Sequence, residues 1–187
     1  MSKQLIIGIS GKMGSGKSTV GNIFNEYFSS IGLKSICISF ADSLKRDVEN
    51  FLKVPIDKNI PGIRQILQGY GQACKHVYGE DYWIKRLDEK RTKELFDYKV
   101  IIISDLRFKN EEQYIKNNNG LIHTIFIESE IREQRLRERG DKDLQAQNDI
   151  SERYIPQGDF ILYNNVSHSE LVKHCQKHAK YLNDFFF

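Results

Sequence analysis

Only three prolines and three cysteines occur in 187 residues, and the longest apolar run is Val100–Ile103. These scarcities exclude several classes of protein. A membrane-spanning helix needs about 20 predominantly apolar residues, so none is expected. Cys37, Cys74 and Cys175 are odd in number and form no C-x-x-C pair, which argues against a disulfide framework and for a reducing compartment. Basic and acidic residues nearly balance, 28 against 25, and alternate through most of the length. A net charge of +3 is too mild for a nucleic-acid-binding polymer surface. No basic-then-apolar presequence precedes the first glycine-rich loop, so a cytoplasmic location is expected. No internal repeat, linker or low-complexity stretch interrupts the chain. With 40% hydrophobic and 28% charged residues, it has the composition of a globular protein with one sizeable core.

The pattern of apolar residues predicts alternating strands and helices. "LIIGIS" (5–10) reads as a strand buried on both faces, and Val20, Ile23, Phe24, Tyr27, Phe28 and Ile31 follow at helical spacing up to Gly32. A second strand is expected over 34–40, with Leu44, Val48, Phe51 and Leu52 on one face of the helix after it. Pro55 and Pro61 bracket a connection, and two helices are expected at 63–77 and 82–95. Strands at 99–105, at 121–129 and in "DFILYN" alternate with a short helix, an Arg-rich helix and a final helix carrying Leu171, Val172, Cys175, Ala179 and Leu182. This order predicts an α/β fold: a five-stranded parallel sheet flanked by helices.

"GKMGSGKST" (11–19) fits G-x-x-x-x-G-K-[ST] and lies between the first strand and the first helix, the context this phosphate-binding loop requires. Gly11, Lys12, Met13, Gly14, Ser15, Gly16, Lys17, Ser18 and Thr19 are therefore the expected ATP-binding residues. Inward-turned N–H groups would cradle the phosphates, Lys17 would reach the outer ones, and the Ser18 hydroxyl would ligate Mg²⁺. Asp105, at the end of the third strand, is the expected second Mg²⁺ ligand. Its other reading is a cap for the following helix.

Nothing resembles the "NKxD" base-reading tetrapeptide of a GTPase switch, and helicase or transporter ATPases are usually longer. Instead, cations are scattered over several connections: Lys45 and Arg46, Arg64, Arg107, and the group Arg132, Arg135, Arg137 and Arg139. Moving phosphate between two anionic substrates calls for such a set, because positive charge must offset their repulsion and Arg forks grip phosphate bidentately. Arg132, Arg135 and Arg139 share one helical face; interleaved glutamates leave open a solvated, ion-paired face.

The stretches "GKMGSGKST", "FADSLK", "RQILQGYGQ", "GEDYWI", "VIIISDLRFKNE" and "DISE" before "DFILYNN" together resemble the deoxynucleoside monophosphate kinases of bacteriophages and related viruses. That family belongs to the P-loop nucleoside monophosphate kinase group. The resemblance spans nearly the whole chain. It implies one kinase domain over 1–187, with an acceptor-binding helical segment at about 41–98 and an Arg-rich lid at about 129–150. It further implies a donor, ATP with Mg²⁺, and a nucleoside monophosphate acceptor, in the host cytoplasm for a viral enzyme.

Asp42 and Lys45 would face the acceptor's phosphate and sugar, or Asp42 would cap the helix that starts there with Lys45 solvated. Arg64 would grip the phosphate or stand exposed on its helix, Arg107 would hold the phosphate, and Gln68 and Gln72 would read the base. Trp83 either stacks on that base or belongs to a helical core. Asn164 would contact the donor adenine or simply make a turn. Lys17, Asp42, Arg107, Arg132 and Arg135 are the catalytic candidates. His174 and His178, at i and i+4 on the last helix, are either a metal pair, with no evident third ligand, or ordinary surface residues. Phe185–Phe187 is either packed or a contact within a homodimer. Two alternatives stand beside this reading: a small-metabolite kinase of the dephospho-coenzyme A or phosphomevalonate type, and a regulatory nucleotide-binding module.

Overall fold

A computed structural model describes residues 4–57, 60, 62–138 and 154–187. The chain divides into two compact units, one of Met1–Ile38 with Asp97–Phe187 and the other of Ser39–Phe96.

The first unit is built on a parallel sheet of β1 (Leu5–Ser10), β2 (Ser35–Ile38), β3 (Val100–Leu106), β4 (Leu121–Phe126) and β5 (Phe160–Tyr163), in the order β2-β3-β1-β4-β5. Each strand of the centre is apolar on both faces because helices cover both. On one face Leu5, Ile7 and Ile9 of β1 pack against Val20, Ile23, Phe24 and Phe28 of α1 (Lys17–Ser30) and against Leu171, Cys175, Ala179 and Leu182 of α7 (His168–Phe186). The other face receives Ile115 of α5 (Lys109–Asn117). Gly8 fits there because a Cβ would stand 3.1 Å from Ile115 and 3.2 Å from Leu106. The Arg-rich segment forms α6 (Ser129–Glu138) after β4.

In the second unit α2 (Ala41–Leu52), α3 (Ile63–Tyr78) and α4 (Tyr82–Glu94) pack on one another. Val48 is buried on α2, but Phe51 is 78% exposed, contrary to the apolar face expected from its spacing. Phe51 lies in the last turn of the helix, next to the left-handed residue Lys53 that ends it. The second strand stops at Ile38 rather than 40 because the backbone is diverted into the start of α2. There the Asp42 carboxylate accepts from the N–H of Ser39 at 2.8 Å and from its hydroxyl at 2.5 Å.

All three cysteines are free thiols. Among the described residues no helix is long and apolar enough to cross a membrane.

Candidate functional site: a phosphate-binding loop and an adjoining cavity

The sharp strand-to-helix turn between β1 and α1 needs backbone that most residues cannot adopt. Gly14 and Gly16 have φ of 80° and 95°, in the left-handed region that favours glycine. Gly16 has a second constraint: a Cβ would lie 2.4 Å from Asn164 Nδ2. The first turn of α1 carries no acidic residue and no side-chain cap, so its positive dipole end suits an anion. Lys17 is buried, and its Nζ donates to the carbonyls of Gly11, at 2.5 Å, and Lys12, at 3.0 Å. The ammonium is thus folded over the loop it belongs to. Ser15 Oγ is buried with no hydrogen-bond partner among the described residues. Ser18 is exposed, and Thr19 half-buried.

Two other connections close on this loop. Asn164, which follows β5, receives its position from a backbone bond to Phe126 of 2.8 Å, and its carboxamide donates to Ser15 O at 2.8 Å. From α6, Leu136 and Arg132 lie against Gly14, where a Cβ would meet them at 2.9 and 3.4 Å. Arg132 is buried, and Arg135 donates to Val166 O at 3.1 Å. Asn165 and Glu128 exchange two bonds of 2.9 Å, tying the turn before α6 to the turn after β5. Arg137 instead pairs with Glu133 on the surface at 3.6 Å. The Arg-rich helix therefore splits by face: Arg132 and Arg135 turn toward the loop, and Arg137 toward solvent. Arg139 and the lid segment beyond Glu138 lie outside the described residues, as does the "DISE" stretch.

Between these elements is a cavity of about 380 Å³, walled by Gly14, Gly16 and Thr19, by Arg135 and Leu136, and by Asn164, Val166, Ser167, His168 and Leu171 around the entry to α7. Asn164 thus takes a position that the sequence reading left open. It is a buried brace of the phosphate loop and at the same time part of the cavity wall. Ser167 and Leu171 were missed as wall residues. The only sequence signal there is S-x-x-E at 167–170, which forms a helix cap: Glu170 N donates to Ser167 Oγ at 3.3 Å.

Asp105 lies within β3 rather than at its end. One extra residue of β3 is accommodated between the pairs Gly8–Ile103 and Ser10–Leu106, so Asp105 sits in an irregular step beside the last residue of β1. Arg107 follows the strand, its N–H held at 2.7 Å by Glu111, which also accepts from Phe108 N–H at 3.0 Å.

In the helical unit, Asp42 and Lys45 are 3.4 Å apart. Burial opposes ionisation of Asp42, but the Ser39 hydrogen bonds and Lys45 outweigh it and hold its carboxyl below the usual range. Arg64 is half-exposed, and Gln68 and Gln72 are exposed one and two turns further along α3. Trp83 corrects the stacking expectation: it is buried, and its indole N–H donates to Gly71 O at 3.2 Å. It is a core residue between α3 and α4. A bidentate pair that the sequence did not announce joins Arg86 to Asp47 at 2.9 and 3.1 Å, with Tyr82 Oη a further acceptor at 3.0 Å.

His178 departs from the surface reading it shared with His174, being half-buried. Its Nε2 lies 2.8 Å from Nε2 of the fully buried His123. Among the described residues no group of three or more potential ligand side chains is placed to hold a metal ion.

No family model matches the sequence, and no curated protein does. Solved structures do match the fold. The chain has the fold of P-loop kinases. The shikimate kinase of Aquifex aeolicus aligns over 94% of this chain and 96% of its own at 20% identity, with a TM-score of 0.50. The APS kinase CysC of Mycobacterium tuberculosis, solved with AMPPNP and APS, aligns over 98% and 99% at 12% identity and a TM-score of 0.57. A gluconokinase of Sinorhizobium meliloti covers 99% and 97% at 13% identity and a TM-score of 0.56. Identities this low establish the kinase fold alone.

Proposed function

We propose that this chain transfers the γ-phosphoryl group of ATP to a (deoxy)nucleoside 5′-monophosphate, yielding two diphosphates. One observation carries the reading: the phosphate loop, with Lys17 over it, opens beside a cavity of about 380 Å³ bordered by Arg135. That volume lies within the range of small-molecule sites. In this reading, phosphate oxygens of the donor take over the Lys17 ammonium from its own loop carbonyls. The N–H groups at the start of α1 hold the same phosphates, and the cavity takes the nucleoside.

Mg²⁺ suits the donor set here, a Ser18 hydroxyl and an Asp105 carboxylate, because both are hard oxygen ligands. When bound, it would neutralise charge on the phosphates. Lys17, Arg132 and Arg135 stabilise charge on the migrating group, and helix α6 shields it from water. The acceptor phosphate is already a competent nucleophile near neutral pH, so a strong base is unnecessary. Asp42, held ionised by Ser39 and Lys45, is suited to orienting an acceptor hydroxyl rather than removing a proton. Arg64 and Lys45 are assigned to the acceptor, and Gln68 and Gln72 to its base edges. Arg107 is assigned to the acceptor phosphate.

Arg107→Lys tests the acceptor assignment, because Lys keeps the charge and loses the bidentate fork. The variant should raise KM for the monophosphate and lower kcat, with affinity for a non-hydrolysable ATP analogue unchanged. Loss of analogue affinity with monophosphate affinity intact would place Arg107 on the donor side.

A further inference from the structure

β5 is the outer strand of the sheet. Asn164 N donates to Phe126 O, so by the alternation of a parallel ladder the backbone groups of Phe160, Leu162 and Asn164 face β4 and those of Ile161 and Tyr163 face away from it. Natural edge strands are usually blunted by charge, proline or a bulge. "FILY" has none of these, although at four residues it is itself short. Its Phe160 and Leu162 side chains pack toward the core cluster, while Ile161 and Tyr163 lie on the opposite face, Tyr163 edge-on to Phe126 at 5.4 Å. On the core side, α7 places Tyr181 6.4 Å from Phe160 and stacks Phe185 on Tyr181. Open backbone is thus bordered on both faces by apolar side chains: Phe126, Ile161, Tyr163, Tyr181, Phe185 and Phe187 are each 50 to 70% exposed.

We infer that this edge pairs with β5 of a second copy of the chain, antiparallel about a two-fold axis through Leu162, to make a continuous ten-stranded sheet. The strand is self-complementary in that register. Ile161 of one copy faces Tyr163 of the other in a hydrogen-bonded pair, and the converse pair is identical, so four backbone bonds form at once. An isoleucine and a tyrosine then meet across each pair, a favourable cross-strand combination. On the core side the two Leu162 side chains meet between the rings of the two α7 helices. Ile161, Tyr163, Tyr181, Phe185 and Phe187, each at least half exposed, and the strand itself bring the buried area toward the ~800 Å² per partner of a stable interface. No charged residue lies within the strand to oppose the pairing. The consequence reaches the site, since the next residue after Tyr163 is Asn164, the brace of the phosphate loop.

Sedimentation of the full chain over a range of micromolar concentrations should show a reversible dimer at twice the mass of one chain. Tyr163→Lys changes an exposed side chain and should leave the circular dichroism spectrum and thermal unfolding of the monomer intact. It should weaken association by about thirtyfold or more, the loss expected of an aromatic hot spot. Phe185→Lys, on the other face, should act in the same direction. Leu162→Cys reads the register: mild oxidation should give a covalent dimer beyond any background from Cys37 in the unsubstituted protein. A chain that stays monomeric at all concentrations would overturn the inference. So would a dimer that neither lysine weakens, or a folded Leu162→Cys protein that does not cross-link.

Discussion

His123 is a polar side chain placed where the sheet offers it only rings. Phe24 meets it edge-on at 5.3 Å, Phe160 stacks at 5.1 Å, and its ring hydrogen-bonds that of His178. Burial, aided by His178, pushes His123 down to about 3, and burial also lowers His178. Both imidazoles are therefore neutral in the folded protein. An unfolded chain protonates them near the ordinary value of about 6.5. The contribution of His123 to stability is complete above that value and is lost as pH falls from 6.5 toward 3, at no more than about 1.4 kcal/mol per pH unit, and His178 acts in the same direction. Thermal unfolding followed from about pH 7 down to about pH 4, through the upper part of that range, should show a falling midpoint. His123→Leu should flatten that dependence whatever it does to the midpoint at neutral pH. An equally steep acid dependence in the variant would assign the loss to other groups. Lys17 differs in kind. It is held by two carbonyls of its own loop, and its replacement should matter to phosphate far more than to folding.

At the scale of elements, the phosphate loop is a turn held from outside. Asn164 reaches it across 149 positions of sequence, and Gly16 leaves the space that the carboxamide fills. An alanine at 16 would be strained twice, by a left-handed backbone at about 1–2 kcal/mol and by displacement of the Asn164 bond at about 1 kcal/mol. In an Asn164→Ala background the second strain vanishes. Gly16→Ala should therefore cost measurably less stability in that background than in the native protein, as a double-mutant cycle by chemical denaturation would show. Strictly additive costs would mean that Asn164 does not brace the loop.

The same contrast explains what was legible in the sequence. β1, β3 and the glycine loop announce themselves because double-sided burial and left-handed turns each demand particular residues within a few positions. The parallel five-stranded sheet follows from the alternation of elements. The Asn164 brace, the Arg86–Asp47 pair and the His123–His178 contact join residues far apart in sequence, and no local pattern encodes them. Trp83 and Phe51 show the limit of helical spacing: periodicity places a residue on a face, but packing decides which part of that face is covered.

For the whole molecule, the proposed reading puts the donor on the sheet unit, where the loop, α6 and the turn into α7 border a cavity. The choice of acceptor is the central claim, since kinases of this fold include enzymes as different as shikimate kinase, APS kinase and gluconokinase. Its most direct test is turnover of the unsubstituted chain with ATP and Mg²⁺ against a panel of ribo- and deoxynucleoside monophosphates, shikimate, gluconate, adenosine 5′-phosphosulfate and dephospho-coenzyme A, with ADP and phosphorylated product quantified together. Lys17→Ala, checked for folding by circular dichroism, serves as the control. The expected result is stoichiometric ADP and nucleoside diphosphate from at least one monophosphate, abolished in the folded Lys17→Ala protein. Transfer only to a non-nucleotide acceptor, or ATP hydrolysis with no phosphorylated acceptor, would contradict the nucleoside monophosphate kinase reading.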